Sequence, residues 1–492
     1  MGTLPRACLG ACVAALLLGF GTAGAASFRV GPLVPVSGPS PFQDGCNGAG
    51  SHATAAEGEP SLAVSPENPR ELVAAWIQDV DNPFPSAVGA AVSSDGGRSW
   101  HRRQLPGGSA CEGGREEYKF QADPWVAFGP RRLVTIATLP FTDGNPGAVA
   151  INRSSDGGKT FGRARFVDRD LTESDFSDKE TVAADPRRPG RAYVTWVKQQ
   201  RTPPPVAVPI SSTTYVSRTL DGGRTWSAPK ALATTSDNTA FAGGVVVVRP
   251  NGDVLLTYPL IEPDNPSHCV VDEECAGQVT VYAVRSTDAG RTWSARVVAA
   301  RYRRGPVRDP EGEDFKASAD NFSLTVDPTG VAYLTAHDES DPPNSHLIVR
   351  RSRDGGKSWK GLTNADRGSR AHGFKGQPII AAGRHSLGIL YFDFRDDTNH
   401  GDGKALYSWW FAHSEDGGRK WQEQRLSRPS DLHSAASTLV GHFIGDYFGL
   451  QAAGPDFVSA FTLARPLARQ GATDIFFARI CPTRPRSGRC AR

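Results

Sequence analysis

The chain lacks a strong bias of charge. Its 492 residues include 55 Lys and Arg against 52 Asp and Glu, which gives a formal net charge of only +3 at pH 7. Proteins that bind nucleic acids or anionic membranes carry a concentrated excess of positive charge, and here the charges are evenly distributed. We therefore expect neither a nucleic acid nor an anionic membrane surface as the main partner.

Long apolar runs are missing after the first 26 residues, so no membrane insertion is expected. The first 26 residues contain Arg6, an apolar stretch from Val13 to Phe20 and the small residues Ala23-Gly24-Ala25. This order is typical of a signal peptide, and the apolar stretch is too short to span a bilayer. The pattern predicts a secreted or periplasmic protein.

Cysteine is scarce, and no CxxC spacing or adjacent histidine indicates a zinc site. Six cysteines remain after the predicted signal peptide, and an even number in an exported chain favours disulfides. Closeness in sequence suggests Cys269–Cys275 and Cys481–Cys490, which leaves Cys46 with Cys111. The second pair would lie in a C-terminal tail of residues 481–492.

What the chain has is many turn residues, 53 Gly and 37 Pro, and one repeated octet. The composition favours an all-β fold over a helical one. The octet returns six times, beginning at Ser93, Ser154, Thr219, Ser286, Ser352 and Ser414. The spacing of 61 to 67 residues suits one four-stranded sheet with its connections.

The first octet, Ser93-Ser-Asp95-Gly-Gly-Arg-Ser-Trp100, resembles the Asp box S-x-D-x-G-x-T-W of sialidases, some seven-bladed xyloglucanases and sortilin-type receptors. In such a turn the Asp carboxylate accepts backbone N–H groups, and glycine adopts a positive φ. The resemblance implies a β-propeller with each box between the third and fourth strands of a blade. It also implies that the box aspartates are structural and lie on the face away from the active site.

An innermost strand of small apolar residues, preceded by a polar residue, recurs seven times at the same period. These polar residues are Glu59, Asp123, Glu180, Asn238, Asn321, Gln377 and Asp446. The seventh unit has neither a box nor a fourth strand, and Ser27–Val36 can supply that strand and close the ring. We predict an all-β, seven-bladed β-propeller of four-stranded antiparallel blades over residues 27–480, with six blades as the alternative.

The two faces of this ring are predicted to differ. Connections on the box face are short, whereas those on the opposite face are long, such as Ser37–Gly58 and Pro106–Ala122, and hold four of the six cysteines. Long loops that carry cysteines indicate recognition or catalysis. On this face Glu59, Asp123, Glu180 and Asp446 should surround the channel, where crowded carboxylates suit acid/base chemistry or a Ca²⁺ site. The alternative is that they cap strand ends and bind channel water.

A second group of candidates lies in the sixth and seventh blades. It comprises Arg395, His400, His442 and Tyr447, with Arg367, Arg370, His372, Lys375 and His433 nearby in sequence. Arg can hold a sugar carboxylate in a bidentate contact while His or Tyr moves a proton. The loop Asp168–Asp178 is also rich in oxygen ligands but lacks the EF-hand glycine and glutamate, so a solvated acidic loop is favoured.

The resemblance is specific for fold and less so for chemistry. Sialidases carry an early Phe-Arg-Ile-Pro segment, whereas Phe28-Arg29-Val30-Gly31 matches two of its four positions and lies in the closing strand, so Arg29 receives no role. Seven-bladed relatives include endo-glucanases with paired Asp and polysaccharide lyases with His, Tyr and Arg. We expect an exported, monomeric propeller without a cofactor other than Ca²⁺. It would act on a glycan as a glycosidase, for example exo-α-sialidase-like, or as a lyase of acidic sugars. The alternative is a non-catalytic propeller that binds a protein or a cell-surface glycan.

Overall fold

The structure is a computed structural model. Besides Gly2, it describes residues 28–483 apart from 44, 47–55, 81–84, 116, 143–146, 203–208, 237–238, 265–275, 318–321, 341–344, 367–373 and 439–440. The described chain is nearly all β, and its main sheets are the seven blades of a propeller. No helix among the described residues is long and apolar enough to cross a membrane.

The first half of the ring follows the chain in order. Two short strands come first, β1 (Phe28–Val30) and β2 (Val34–Pro35). Blade 1 contains β3 (Gly58–Val64), β4 (Leu72–Val80), β5 (Pro85–Ser93) and β6 (His101–Arg103). Blade 2 contains β7 (Phe120–Phe128), β8 (Val134–Phe141), β9 (Ala148–Ser154) and β10 (Arg165–Arg169). Blade 3 contains β11 (Asp175–Ala184), β12 (Ala192–Arg201), β13 (Pro209–Thr219) and β14 (Lys230–Ser236).

The second half continues in the same way. Blade 4 contains β15 (Ala240–Phe241), β16 (Val245–Val248), β17 (Val254–Pro263), β18 (Gly277–Ser286) and β19 (Val297–Arg304). Blade 5 contains β20 (Phe322–Val326), β21 (Ala332–Asp338), β22 (His346–Ser352) and β23 (Lys360–Gly361). Blade 6 contains β24 (Lys375–Ala382), β25 (Leu387–Asp393), β26 (Leu406–Ser414), β27 (Gln422–Arg425) and β28 (Ser430–Asp431), which pairs with β26. A hairpin of β29 (Ser437–Thr438) and β30 (Gly441–His442) precedes β31 (Gly449–Ala453), β32 (Asp456–Ala464) and β33 (Thr473–Pro482) of blade 7. Short 3₁₀ helices lie at Ala110–Glu112 and Leu432–Ser434.

The N-terminal strands close the ring, as predicted. β1 and β2 both pair antiparallel with β33, with Phe28 opposite Pro482 and Val34 opposite Phe477. Blade 7 therefore joins the two ends of the described chain in one sheet, which confirms seven blades. The single predicted strand is divided into two short strands, on either side of residues 31–33.

Each of the six boxes lies between the third and fourth strands of blades 1 to 6, as the resemblance implies. In the first box Asp95 Oδ1 accepts the N–H of Arg98 at 2.9 Å and the Ser93 hydroxyl at 2.8 Å. Asp95 Oδ2 accepts the Ser99 hydroxyl at 2.6 Å. The carboxylate therefore holds the turn together and is not directed at a ligand.

Arginine side chains join neighbouring blades on the box face. Arg153, Arg218 and Arg351 each directly precede a box and donate to a backbone carbonyl in the box of the next blade, at Gly222, Ala289 and Gly417 respectively. Arg479 of blade 7 donates in the same way to Gly96 O at 3.2 Å. The sequence analysis did not identify these ties, although an arginine immediately before the box is visible in the repeat.

Apolar side chains fill the spaces between blades. The largest cluster is rich in aromatic residues and lies between blades 6 and 7, where Trp409 and Phe448 pack with ring centroids 4.4 Å apart. The inner strands of all seven blades surround a central cavity of about 250 Å³. The core thus supports a rigid ring around one channel.

The disulfide Cys46–Cys111 is confirmed, with Cα atoms 5.0 Å apart. It joins the long connection after β2 to the long connection after β6. Cys481 is also disulfide-bonded. Cys490, Cys269 and Cys275 lie outside the described residues, so their pairings stay predictions.

Candidate functional site

The inner strands of blades 1, 2, 3 and 6 share a backbone irregularity at the same end of the channel. Each contains a residue with positive φ next to a shift in strand register. The φ angle is 51° for Glu59, Asp123 and Lys179, and 36° for Gln377. Such a conformation costs about 1–3 kcal/mol for a residue other than glycine, and it clusters at functional sites. The bulge therefore marks the channel mouth on the face of the long loops. In blade 3 the equivalent residue is Lys179, one position before the predicted Glu180.

An ion pair and a hydrogen bond join three blades at this mouth. Lys179 Nζ lies 2.7 Å from Asp446 Oδ2, and the N–H of Asp446 donates to Glu59 Oε1 at 3.1 Å. The Asp446 side chain is 1% exposed and that of Lys179 is 22% exposed. Gly445 has φ 127°, and a Cβ there would lie 2.6 Å from the backbone N of Glu59. Glycine is therefore required where blade 7 meets blade 1.

Two glutamates form the buried floor of the site. Glu59 and Glu180 are each 2% exposed, and within the described part of the chain neither oxygen of Glu180 has a hydrogen-bond partner. Burial is the main cause that raises the pKa of Glu180 well above its usual range, and Asp123 adds to it. Burial, then Asp123 and Asp446, raise the pKa of Glu59 in the same direction. Both glutamates are therefore protonated more readily than an exposed glutamate.

The rim of the mouth is half-buried and carries both signs of charge. Burial raises the pKa of Asp123 above its usual value; Lys179 opposes this, while Asp178 and Asp446 add to it. Asp178 accepts the N–H of Lys179 at 2.8 Å. Lys316 lies over the ring of Phe443, with Nζ 4.8 Å from the ring centroid, and acts electrostatically on Glu59 and Asp123. The sequence analysis assigned no role at the channel to Asp178, Lys179 or Lys316. The bulge that turns Lys179 toward the channel is a feature of the backbone and has no signature in the residue pattern.

Tyr447 belongs to this site as well. Its side chain is buried, its hydroxyl donates to Pro124 O at 3.3 Å, and its ring packs against Trp125 at 5.2 Å. Burial, then the charges of Glu59 and Asp123, raise its pKa well above the ordinary value. Tyr447 is therefore a neutral phenol rather than a phenolate. We call Glu59, Asp123, Asp178, Lys179, Glu180, Lys316, Asp446 and Tyr447 the channel cluster.

Arg395 has a separate environment within blade 6. Its guanidinium pairs with Asp393 and with Glu423 Oε2 at 3.0 Å, and donates to Tyr391 Oη at 2.8 Å. Its Cζ atom also lies 3.9 Å from the centre of the Trp410 ring. Because two carboxylates already hold Arg395, its role as a grip for a substrate carboxylate gains no support from this arrangement.

The remaining candidates are distributed over the loop face. His400 is exposed, and His442 stacks on His433 with its Nδ1 3.1 Å from Ala435 O. Lys375 is buried and donates to Ser345 O at 2.6 Å. Asn238, Asn321, Arg367, Arg370 and His372 lie outside the described residues. The structure thus brings together Glu59, Asp123, Glu180, Asp446 and Tyr447, and places Arg395, His400 and His442 in other surroundings.

The acidic loop is occupied by protein groups. Asp168 and Asp170 pair with Lys198 at 2.7 and 3.2 Å, and Asp170 also accepts the Ser177 hydroxyl at 2.7 Å. Asp175 accepts the N–H groups of Leu171 and Thr172. These carboxylates stabilise the start of blade 3.

Part of the chain matches a known repeat in sequence. Residues 213–443 match the model of the BNR repeat-like domain, and this range contains four of the six boxes. The resemblance to Asp-box propellers that the octets predicted is thereby confirmed. No curated protein sequence matches the chain.

Solved structures with similar chain traces include other propellers. A polysaccharide lyase of family 25, an ulvan lyase bound to -[GlcA(1-4)Rha3S]-, is 13% identical with a TM-score of 0.48, over 86% of this chain and 94% of the lyase. A Hadza microbial sialidase is 14% identical with a TM-score of 0.45, over 84% of this chain and 73% of the sialidase. An α-L-arabinofuranosidase of Fusarium graminearum is 12% identical with a TM-score of 0.44, over 74% and 92% of the two chains. At these identities the chemistry of the site has to be derived from the chain's own residues.

Proposed function

We propose that this protein is an exported glycan-acting propeller whose channel cluster hydrolyses a glycosidic bond. The observation that carries the proposal is the pair of half-buried acids at the rim, Asp123 and Asp178, beside the buried carboxyl groups of Glu59 and Glu180. Glycoside hydrolysis needs one carboxyl group that is protonated and one that is ionised, on either side of the scissile bond.

Asp123 has the properties of the general acid. It is partly exposed, and its raised pKa lets it keep its proton to a higher pH than an exposed aspartate would. Glu59 and Glu180 are too deeply buried to reach a polymer. Burial of Asp123 itself, with the charges of Asp178 and Asp446, raises the pKa of Asp123. Asp178 would then act as the second carboxyl group, as a base or nucleophile.

Lys316 favours a substrate with negative charge near the scissile bond. Its ammonium acts on Glu59 and Asp123 at the mouth, and a uronate or sialate carboxylate would meet a cation there, whereas Lys179 is already held by Asp446. Lys179 also supplies a positive charge among the carboxylates, the charge that a Ca²⁺ ion would otherwise provide; Ca²⁺ binding at the mouth remains an alternative that dialysis against EDTA tests. The disulfide between two long loops supports export, since such bonds persist in oxidising compartments.

The test is a panel of neutral polysaccharides, uronate-containing polysaccharides and sialosides. New reducing ends report hydrolysis, and absorbance of an unsaturated uronate reports lyase cleavage. We expect reducing ends without unsaturated product, and a loss of at least about 100-fold in kcat for Asp123→Asn and for Asp178→Asn. Asp221→Asn in the third box is the matched control and should keep its activity. Unsaturated product would replace the hydrolase with a lyase.

A non-catalytic binder is the second candidate function. The observation that favours it is the engagement of Arg395 and His442 by protein groups, which removes two of the predicted substrate contacts. Retention on a glycan array, without cleavage of any member of the panel, would support this candidate and contradict hydrolysis. Elution as a monomer in gel filtration is expected in both cases.

A further inference from the structure

A second polar cluster lies on the loop face and shares no residue with the channel cluster. It consists of Asp309, Glu313 and His433, whose candidate ligand atoms all lie within 4.8 Å of one another. Asp309 and Glu313 belong to the connection between β19 and β20, and His433 belongs to the 3₁₀ helix after β28. The cluster, called here the clamp cluster, therefore connects the loops of blades 4 and 6.

The orientation of His433 is fixed from outside the clamp cluster. Its Nδ1 lies 2.9 Å from the carbonyl oxygen of Gly403, which can only accept a hydrogen bond. Nδ1 must therefore carry the hydrogen, and in the neutral ring Nε2 presents its lone pair. This is the arrangement in which metal-binding histidines are commonly held, with the second ring nitrogen bonded to a backbone carbonyl.

The lone pair of His433 meets another acceptor. Asp309 Oδ1 accepts the N–H groups of Glu311 at 2.9 Å and Glu313 at 3.0 Å, which directs Oδ2 toward His433 Nε2 at 2.7 Å. Two acceptors at this distance need a proton or a cation between them. Glu313 Oε2 lies 3.8 Å from the same Nε2, and its side chain is 66% exposed, so the third carboxylate faces solvent.

We propose that the clamp cluster binds a divalent transition-metal ion of the Zn²⁺ type through His433 Nε2, Asp309 Oδ2 and the Glu313 carboxylate. An imidazole nitrogen together with carboxylate oxygens suits Zn²⁺, whereas Ca²⁺ and Mg²⁺ prefer oxygen alone. The exposed side of Glu313 leaves room for water to complete the coordination.

The metal would fix the loop that carries Lys316 to the channel mouth. Lys316 follows Glu313 by three residues, and its N–H donates to His442 O at 3.0 Å. The ring of His442 in turn stacks on His433 at 5.2 Å. Binding at the clamp cluster therefore should order residues 305–317 and set the position of the Lys316 ammonium.

The test is a titration of the EDTA-treated full chain with ZnCl₂, followed by calorimetry and by elemental analysis after dialysis. We expect one Zn²⁺ per chain, at least tenfold weaker binding for His433→Asn, and severalfold weaker binding for Glu313→Gln. Asp314→Asn is the matched control, because Asp314 is an exposed acid of the same loop that pairs with Arg308. Hydrogen exchange of residues 305–317 should slow with Zn²⁺ in the native chain and in the control, and less in Glu313→Gln.

Two results would overturn the metal site. Equal affinity in the native chain, His433→Asn and Glu313→Gln, or no stoichiometric Zn²⁺, would leave His433 and Asp309 as an ion pair joined by a proton. Displacement of Zn²⁺ by a modest excess of CaCl₂ would contradict the proposed metal class. Should His433→Asn fail to fold, the exposed Glu313→Gln still decides the matter. The titration needs no glycan, so its failure is distinct from failure of the proposed hydrolysis.

Discussion

Acidic residues on the box face have lowered pKa values, whereas acidic residues at the channel mouth have raised ones. In the boxes, Asp95, Asp156 and Asp221 accept hydrogen bonds from hydroxyl and backbone N–H groups, which outweigh slight burial and lower the pKa of each to about 2. At the mouth, burial and neighbouring carboxylates raise the pKa values of Glu59, Asp123 and Glu180. The most conspicuous acids of the sequence are thus structural, and the acids with raised pKa values are those in crowded, dry surroundings.

The largest expected effect comes from breaking the ion pair at the mouth. Asp446→Asn removes the carboxylate that pairs with Lys179. The Asp446 side chain is 1% exposed, and the change leaves the Lys179 ammonium without its nearest counter-charge. The free energy of unfolding should fall by about 3–5 kcal/mol. Urea denaturation measures this change.

The exposed pair of Asp314 with Arg308 provides the control. Asp314→Asn should change the free energy of unfolding by at most about 1 kcal/mol, because water screens exposed pairs. Equal losses in Asp446→Asn and Asp314→Asn would contradict the distinction between the two environments.

The next largest effect concerns the junction of blades 7 and 1. Gly445→Ala introduces a Cβ at 2.6 Å from Glu59 N on a residue with φ 127°. We expect a loss of about 2–3 kcal/mol from strain and a displaced Glu59. Thermal unfolding measures the loss. Gly401→Ala, in a loop where a Cβ meets nothing within 4 Å despite φ 87°, separates backbone strain from the clash. If the two variants melt alike, the close approach to Glu59 contributes nothing.

A box aspartate should contribute less. Asp221→Ala removes the acceptor of the Thr225 hydroxyl at 2.6 Å and of the N–H of Arg224 at 3.0 Å, both exposed. We expect a loss of about 1–2 kcal/mol in the free energy of unfolding. The rate of glycan cleavage should not change. A loss of cleavage in Asp221→Ala without a change in melting temperature would contradict the assignment of the box face as inert.

The smallest effect is the pH dependence of stability, and it has opposite signs on the two faces. The box aspartates have lowered pKa values, so their stabilisation is present above about pH 4 and is lost as the pH falls toward 2. Glu59 and Glu180 have raised pKa values, so their contribution is present below about pH 4 and is lost as the pH rises through the folded-state values. Melting temperatures between pH 2 and 8 should therefore peak at mildly acidic pH. Glu180→Gln should flatten the decline on the neutral side only; parallel profiles of the variant and the native chain would contradict the raised pKa.

The fold was predictable because its signals are local. Each box contains its own turn chemistry within eight residues, so Ser93 and Asp95 could be assigned from the sequence alone. The number of blades followed from the period of the inner strands, and the missing strand of blade 7 pointed to residues 27–36. The candidate site was predicted in part, since Glu59, Asp123, Glu180, Asp446 and Tyr447 do meet at one end of the channel.

The sequence by itself determined the period, the turns, the seven blades and the face that holds the long loops, because these depend on residues close together in the chain. Only the tertiary structure decided which charges are neighbours. Lys179 and Asp446 are 267 positions apart, and His433 and Asp309 are 124 apart. Closing the ring brings distant strand ends together, and burial there, rather than residue type, sets the pKa of each carboxyl group.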